Sequence, residues 1–111
     1  MESKRQQRIS RLFQRDLGDI FREEARHHFG GAMITVTKVH VSRDLSLARV
    51  YLSLFATPDK GELLDNIRRH AGEIKYKLGN RVSKQLRSVP ELEFHEDDSL
   101  DYIERIENLL G

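Results

Sequence analysis

Residues 66–89 read NIRRHAGEIKYKLGNRVSKQLRSV, and the fold turns on whether this stretch is one helix or two. Ile67, Ala71, Ile74, Leu78, Val82 and Leu86 recur at helical spacing, so one face is apolar. Seven basic residues, Arg68, Arg69, Lys75, Lys77, Arg81, Lys84 and Arg87, stand against one acid, Glu73. Gly72 and Gly79 interrupt the pattern. Each costs a helix about 1 kcal/mol relative to alanine, so each asks for a reason. On an ideal wheel Arg69, Lys77, Arg81, Lys84 and Arg87 fall within an arc of roughly 120°. Gly72, Gly79 and Ser83 lie together on another flank, where the absence of side chains lets a backbone approach. Two readings of this surface stay open: a phosphate-tracking face, or a solubilising face on a helix broken at Gly72 for packing.

Working outward, Leu63, Leu64 and Ile67 extend the stripe toward the amino terminus without losing phase. Thr57-Pro58-Asp59 opens that helix, with Thr57 as cap, Pro58 at the first helical position, and Asp59 and Glu62 on the positive end of the dipole. Pro90 excludes helical geometry at Val89, and Leu92-Glu93-Phe94 alternates as a short strand. Upstream, residues 4–29 carry Ile9, Leu12, Phe13, Leu17, Ile20, Phe21, Ala25 and Phe29 on one face, and Gly30-Gly31 stops the helix. Residues 33–41 and 46–55 are β-branched and aromatic, joined by a turn at Ser42-Arg43-Asp44-Leu45. Pairing Val41 with Ser46 puts Val39/Ala48, Thr37/Val50, Thr35/Leu52 and Met33/Leu54 on the core face. The outer face then holds His40/Leu47, Lys38/Arg49, Val36/Tyr51 and Ile34/Ser53. Lys38 opposite Arg49 is a like-charge pair, a secondary candidate for phosphate contact. Asp97, Asp98 and Ser99 cap a last amphipathic helix over 100–110.

The expected architecture is α+β, in the order α-β-β-α-α-β, with a three-stranded mixed sheet and helices on one face. That order is the type II KH domain's, not an RRM's. A chain of 111 residues fits one domain, here residues 1–98, followed by an acidic helical tail over 99–111. Residues 1–90 carry a charge of +8 and residues 91–111 of −7, the pattern of a polyanion-binding body with an acidic tail. Cysteine is absent, which excludes disulfides and thiolate metal sites. With no signal peptide or membrane span in view, the expectation is a cytoplasmic protein. No P-loop, H-E-x-x-H, G-x-G-x-x-G or G-x-S-x-G motif is present. His27 and His28 are neighbours on different sides of a helix, and His40, His70 and His95 lack ligand spacing. The expectation is a non-catalytic, cofactor-free protein.

The sequence resembles the bacterial ribosome-binding factor A family from about Arg8 to Leu100. The blocks that carry the resemblance are Val41-Ser42-Arg43-Asp44-Leu45 with Ala48, Val50 and Tyr51, and Val89-Pro90-Glu91-Leu92 with Phe94, Asp98 and Ser99. The family is similar to type II KH domains but has an Ala-x-Gly kink between helices in place of the G-x-x-G loop. Gly72 matches that glycine, and His70 stands where the alanine would be, so His70, Ala71 and Gly72 are the expected kink. The resemblance implies a monomeric assembly factor on the free 30S subunit, contacting 16S rRNA around its 5′-terminal helix and supporting precursor processing. The rivals are a general KH-like RNA chaperone and a protein-interaction module acting through the acidic tail.

Overall fold

The computed structural model describes residues 2–97, so the expected acidic helix over 100–110 and the boundary at 98/99 lie outside the described residues. The elements are α1 (Lys4–His28), β1 (Met33–Val41), β2 (Leu47–Phe55), α2 (Lys60–Arg69), α3 (Ala71–Val82) and β3 (Glu91–Glu96), in the expected order. β2 is the central strand, antiparallel to β1 and parallel to β3. A parallel neighbour requires a crossover, and α2 with α3 supplies it.

Helix α1 begins at a capping box, with Ser3 and Gln6 satisfying each other's backbone N–H groups. The Gln6 amide also donates to the Val41 carbonyl (3.1 Å), which pins the start of the helix to the end of β1. The centre of its apolar stripe is packed: Phe13, Leu17, Ile20 and Phe21 lie in the core with Ile67, Ile74, Leu78 and Phe94. Phe21 meets Phe94 edge-on at 5.9 Å, the geometry that the ring quadrupole favours. Gly30 and Gly31 both have positive φ and end the helix.

The hairpin departs from the expected register. Val41 faces Ala48, Val39 faces Val50 and Lys38 faces Tyr51, and the register then shifts between Val36 and Lys38. Thr37 is thus the extra residue of a bulge, and a bulge reverses the in–out alternation. Above it Val39 and Val41 point inward; below it Ile34 and Val36 do, in place of Met33 and Thr35. Met33 is left 62% exposed. On β2 the expected inward set, Ala48, Val50, Leu52 and Leu54, is buried. The Gln14 amide donates to the Val36 and Thr37 carbonyls, each at 3.3 Å, and so satisfies backbone that the bulge frees. Lys38 is not opposite Arg49, which faces His40 instead.

The turn accounts for the rest of the shift. The Ser42 hydroxyl accepts from Ser46 N–H (3.1 Å) and Leu47 N–H (3.0 Å), which draws two more residues into the loop. Asp44 accepts from the hydroxyls of Ser46 (2.7 Å) and Ser42 (2.9 Å). These bonds, Ser46's first, hold the Asp44 carboxyl below its ordinary value of 3.8. A group depressed on folding stabilises the fold above its unfolded value and loses that contribution as pH falls through its folded value. Acid titration followed by the Ser46 amide resonance should therefore show the turn loosening below about pH 4, and an Asp44→Asn variant should lack that transition.

Helix α2 is capped by Asp59, whose carboxylate accepts from Glu62 N–H (3.0 Å), not by Thr57. Helix α3 ends at Val82, six residues before Ser88, the last position that Pro90 leaves free to be helical. Gln85 and Leu86 turn back on the Val82 carbonyl (2.8 and 3.0 Å), and Leu86 and Val89 pack against the core.

Candidate nucleic-acid interface

The opening stretch is two helices joined through one residue. His70 sits between them at φ −95°, ψ 9°, the bridge region between helical and extended backbone. Its N–H reaches the carbonyls of Asn66 (3.2 Å) and Ile67 (3.0 Å), and its carbonyl accepts the first bond of α3 from Ile74 (3.0 Å). Ala71 and Gly72 are the first two residues of α3, and a Cβ at Gly72 would meet nothing within 4 Å. The turning residue is therefore His70. Its Nδ1 lies 2.9 Å from the Asn66 carbonyl, so Nδ1 carries the proton. Its ring packs on His28 at 5.0 Å and edge-on to Phe29 at 5.5 Å, a space that an alanine side chain could not reach. Gly79 faces the Val89 side chain (3.4 Å from an added Cβ), so what packs on it is a side chain of this chain and not another backbone.

Four of the seven cations in the stretch are engaged by the fold. Arg68 donates twice to the Phe94 carbonyl (2.8 and 3.2 Å), and Lys75 pairs with Glu91 at 2.6 Å. Lys77 pairs with Glu24 of α1. Arg81 reaches Asp19 at 2.7 Å and Asp16 at 3.3 Å. The Glu24 and Asp16 side chains are only 8% and 5% exposed, so Lys77 and Arg81 tie α3 to buried carboxylates of α1. A reading of the basic stretch alone misses those acids, although Glu24 continues the stripe Phe13-Leu17-Ile20 and Asp16 sits between Phe13 and Ile20 on it. An acid at a core position asks for a cation, and Lys77 and Arg81, four residues apart, supply a matched pair.

Glu24, His28 and Glu73 bring potential ligand atoms within 4.8 Å of one another. The Lys77 ammonium on Glu24 already supplies the positive charge such a cluster calls for.

The remaining three, Arg69, Lys84 and Arg87, are exposed and have no acidic partner among the described residues. They do not form one face. Arg69 closes α2 beside the joint, whereas Lys84 and Arg87 lie beyond the far end of α3, about 18 Å of helix away. Gln85 and Leu86 line one groove with Arg5, Arg8, Ile9 and Leu12 of α1, so Lys84 and Arg87, their sequence neighbours, share an end of the molecule with Arg5 and Arg8. Lys38 and Arg49 lie on the sheet's outer face, Lys38 over the Tyr51 ring and Arg49 3.7 Å from Glu93. The wheel's common arc is thus divided among three places.

The element order, the parallel β3 and the single-residue joint define a KH-like α+β domain without a G-x-x-G loop. Residues 5–110 match the family model described as Ribosome-binding factor A. The chain belongs to the ribosome-binding factor A family. It is 42% identical over its full length to the Cytophaga hutchinsonii protein of that name, covering 84% of it. It is 47% identical to that of Flavobacterium psychrophilum, covering 86%. The crystal structure of ribosome-binding factor A from Thermus thermophilus shares the fold, with a TM-score of 0.68 at 23% identity over 82% of this chain and 94% of that one. A homology model of the Thermus thermophilus factor, fitted into a cryo-EM map of a complex with the 30S subunit, is similar at a TM-score of 0.62 and 26% identity, over 78% of this chain and 89% of that one. No helix among the described residues is long and apolar enough to cross a membrane.

Proposed function

We propose that this protein is a cytoplasmic, monomeric, non-catalytic assembly factor that binds the free 30S subunit through 16S rRNA. It acts near the 5′-terminal helix region, during late maturation, and supports processing of the precursor. The observation that carries this reading is the family match over residues 5–110. The relative fitted into a 30S complex supports the partner. The direct phosphate contacts proposed are Lys84, Arg87 and Arg69, whose charge no acid among the described residues neutralises. Lys77 and Arg81 hold α3 in place on α1, and Lys38 and Arg49 serve as secondary contacts. Phosphate neutralisation makes the affinity fall steeply with salt. Tagged protein sedimented through a gradient should migrate with free small subunits and not with complete ribosomes. Equal distribution over both, or none on either, would sink the proposal.

A further inference from the structure

The amino-terminal half of α1 and the turn after α3 enclose a groove of about 260 Å³, lined by Arg5, Arg8, Ile9, Leu12, Gln85 and Leu86. Its floor is apolar: Ile9 is buried, and Leu12 and Leu86 are partly buried against the core. Its lip is cationic, and Arg5 and Arg8 have no acidic partner among the described residues. From Ser3 to Arg15 every charged side chain is basic, namely Lys4, Arg5, Arg8, Arg11 and Arg15. No acid stands in the first turn of α1, where the dipole favours acids and disfavours cations. Helix stability therefore does not explain this charge. Lys84 and Arg87, both exposed, are the sequence neighbours of Gln85 and Leu86 on the opposite wall. An apolar floor under an all-basic lip is complementary to a flat apolar group carried on an anionic chain.

We infer that this groove takes one unstacked nucleotide of single-stranded RNA. The base lies against Ile9, Leu12 and Leu86, and the Arg5 and Arg8 guanidinium groups meet the adjoining phosphates or stack on the base. The Gln85 amide offers both a donor and an acceptor to the base edge. The groove is too small for an amphipathic peptide helix, which needs anchors over two turns. Duplex RNA keeps its bases stacked inside and cannot enter. The inference rests on the RNA-binding reading above and adds to it a site, and a requirement for unpaired RNA.

The test uses the full chain and a short single-stranded RNA carrying 2-aminopurine, with the corresponding duplex as comparison. Wild-type protein should change the 2-aminopurine fluorescence and favour the single strand several-fold. Leu86→Gln should abolish the fluorescence change and that preference while keeping salt-dependent binding. Should Leu86→Gln unfold, the exposed pair Arg5→Glu/Arg8→Glu serves instead, with an expected loss of about tenfold or more in affinity for the single strand. A folded Arg5→Glu/Arg8→Glu protein with wild-type affinity and fluorescence response overturns the groove, and its continued migration with small subunits leaves the wider reading standing. Wild-type protein that ignores small subunits overturns that wider reading first. Wild-type protein that migrates with small subunits but shows no fluorescence change and no preference for the single strand overturns the nucleotide site.

Discussion

Reversing Lys77 and Arg81 to glutamate is expected to destabilise the domain rather than only to disarm an RNA-binding face. Each new carboxylate would stand against an acid that is already buried, Glu24 for one and Asp16 for the other. Removing the partner of a fully buried charge costs about 3–5 kcal/mol. The Lys77 and Arg81 side chains are themselves 36% and 35% exposed, so solvent softens each loss. A combined destabilisation of about 4 kcal/mol remains, against a total stability of about 5–15 kcal/mol for domains in general. Thermal or urea denaturation of the double variant measures it directly. The companion Glu24→Gln/Lys77→Met protein should recover much of the loss, because replacing both members of a buried pair is far milder than orphaning one. A double reversal that melts like wild type would show that these pairs do not hold α3 to α1.

Lys84→Glu/Arg87→Glu is expected to do the opposite, keeping the fold and losing the partner. Both residues lie outside α3, are exposed, and have no acidic partner among the described residues. Surface substitutions of this kind usually change stability by less than about 0.5 kcal/mol. If both side chains contact phosphate, the log–log salt dependence of binding to free small subunits should flatten by about 2. Affinity should fall by about tenfold or more at low salt, where Coulomb attraction is least screened. Circular dichroism and filter binding over a salt series report the two halves separately. A folded variant with an unchanged slope would remove Lys84 and Arg87 from the interface.

The contrast between these two pairs shows what periodicity can and cannot supply. All four residues sit in one basic stretch, and a wheel assigns them to one arc. Whether a cation is consumed internally depends on what lies across the interface from it, here acids some 60 residues earlier in the chain. That pairing was partly legible, because Glu24 and Asp16 occupy positions of α1 that its apolar stripe reserves for the core. Arg68 and Lys75 were harder to place. Their partners, the Phe94 carbonyl and Glu91, belong to β3, whose position depends on the crossover.

The hairpin divides in the same way. β2 alternates cleanly, and its inward face follows from the sequence. β1 does not, because one residue, Thr37, is left unpaired. A strand's period of two carries no mark of where a bulge will fall, so strict alternation assigns every position below it to the wrong face.

The helix–helix joint returns to the stretch that governs the fold. The sequence alone determined that residues 60–82 form amphipathic helices between a hairpin and a third strand, since propensity, capping and apolar spacing are local. It also determined the family, through blocks that hold their order along the chain. Tertiary structure decided that the chain turns at His70 and not at Gly72, because the imidazole is held by Asn66, His28 and Phe29. It decided that α3 stops at Val82, where Gln85 and Leu86 turn back on the Val82 carbonyl and Leu86 and Val89 pack on the core. And it decided which cations remain available, because a charge buried at one end of an ion pair fixes the other, and that constraint acts through space.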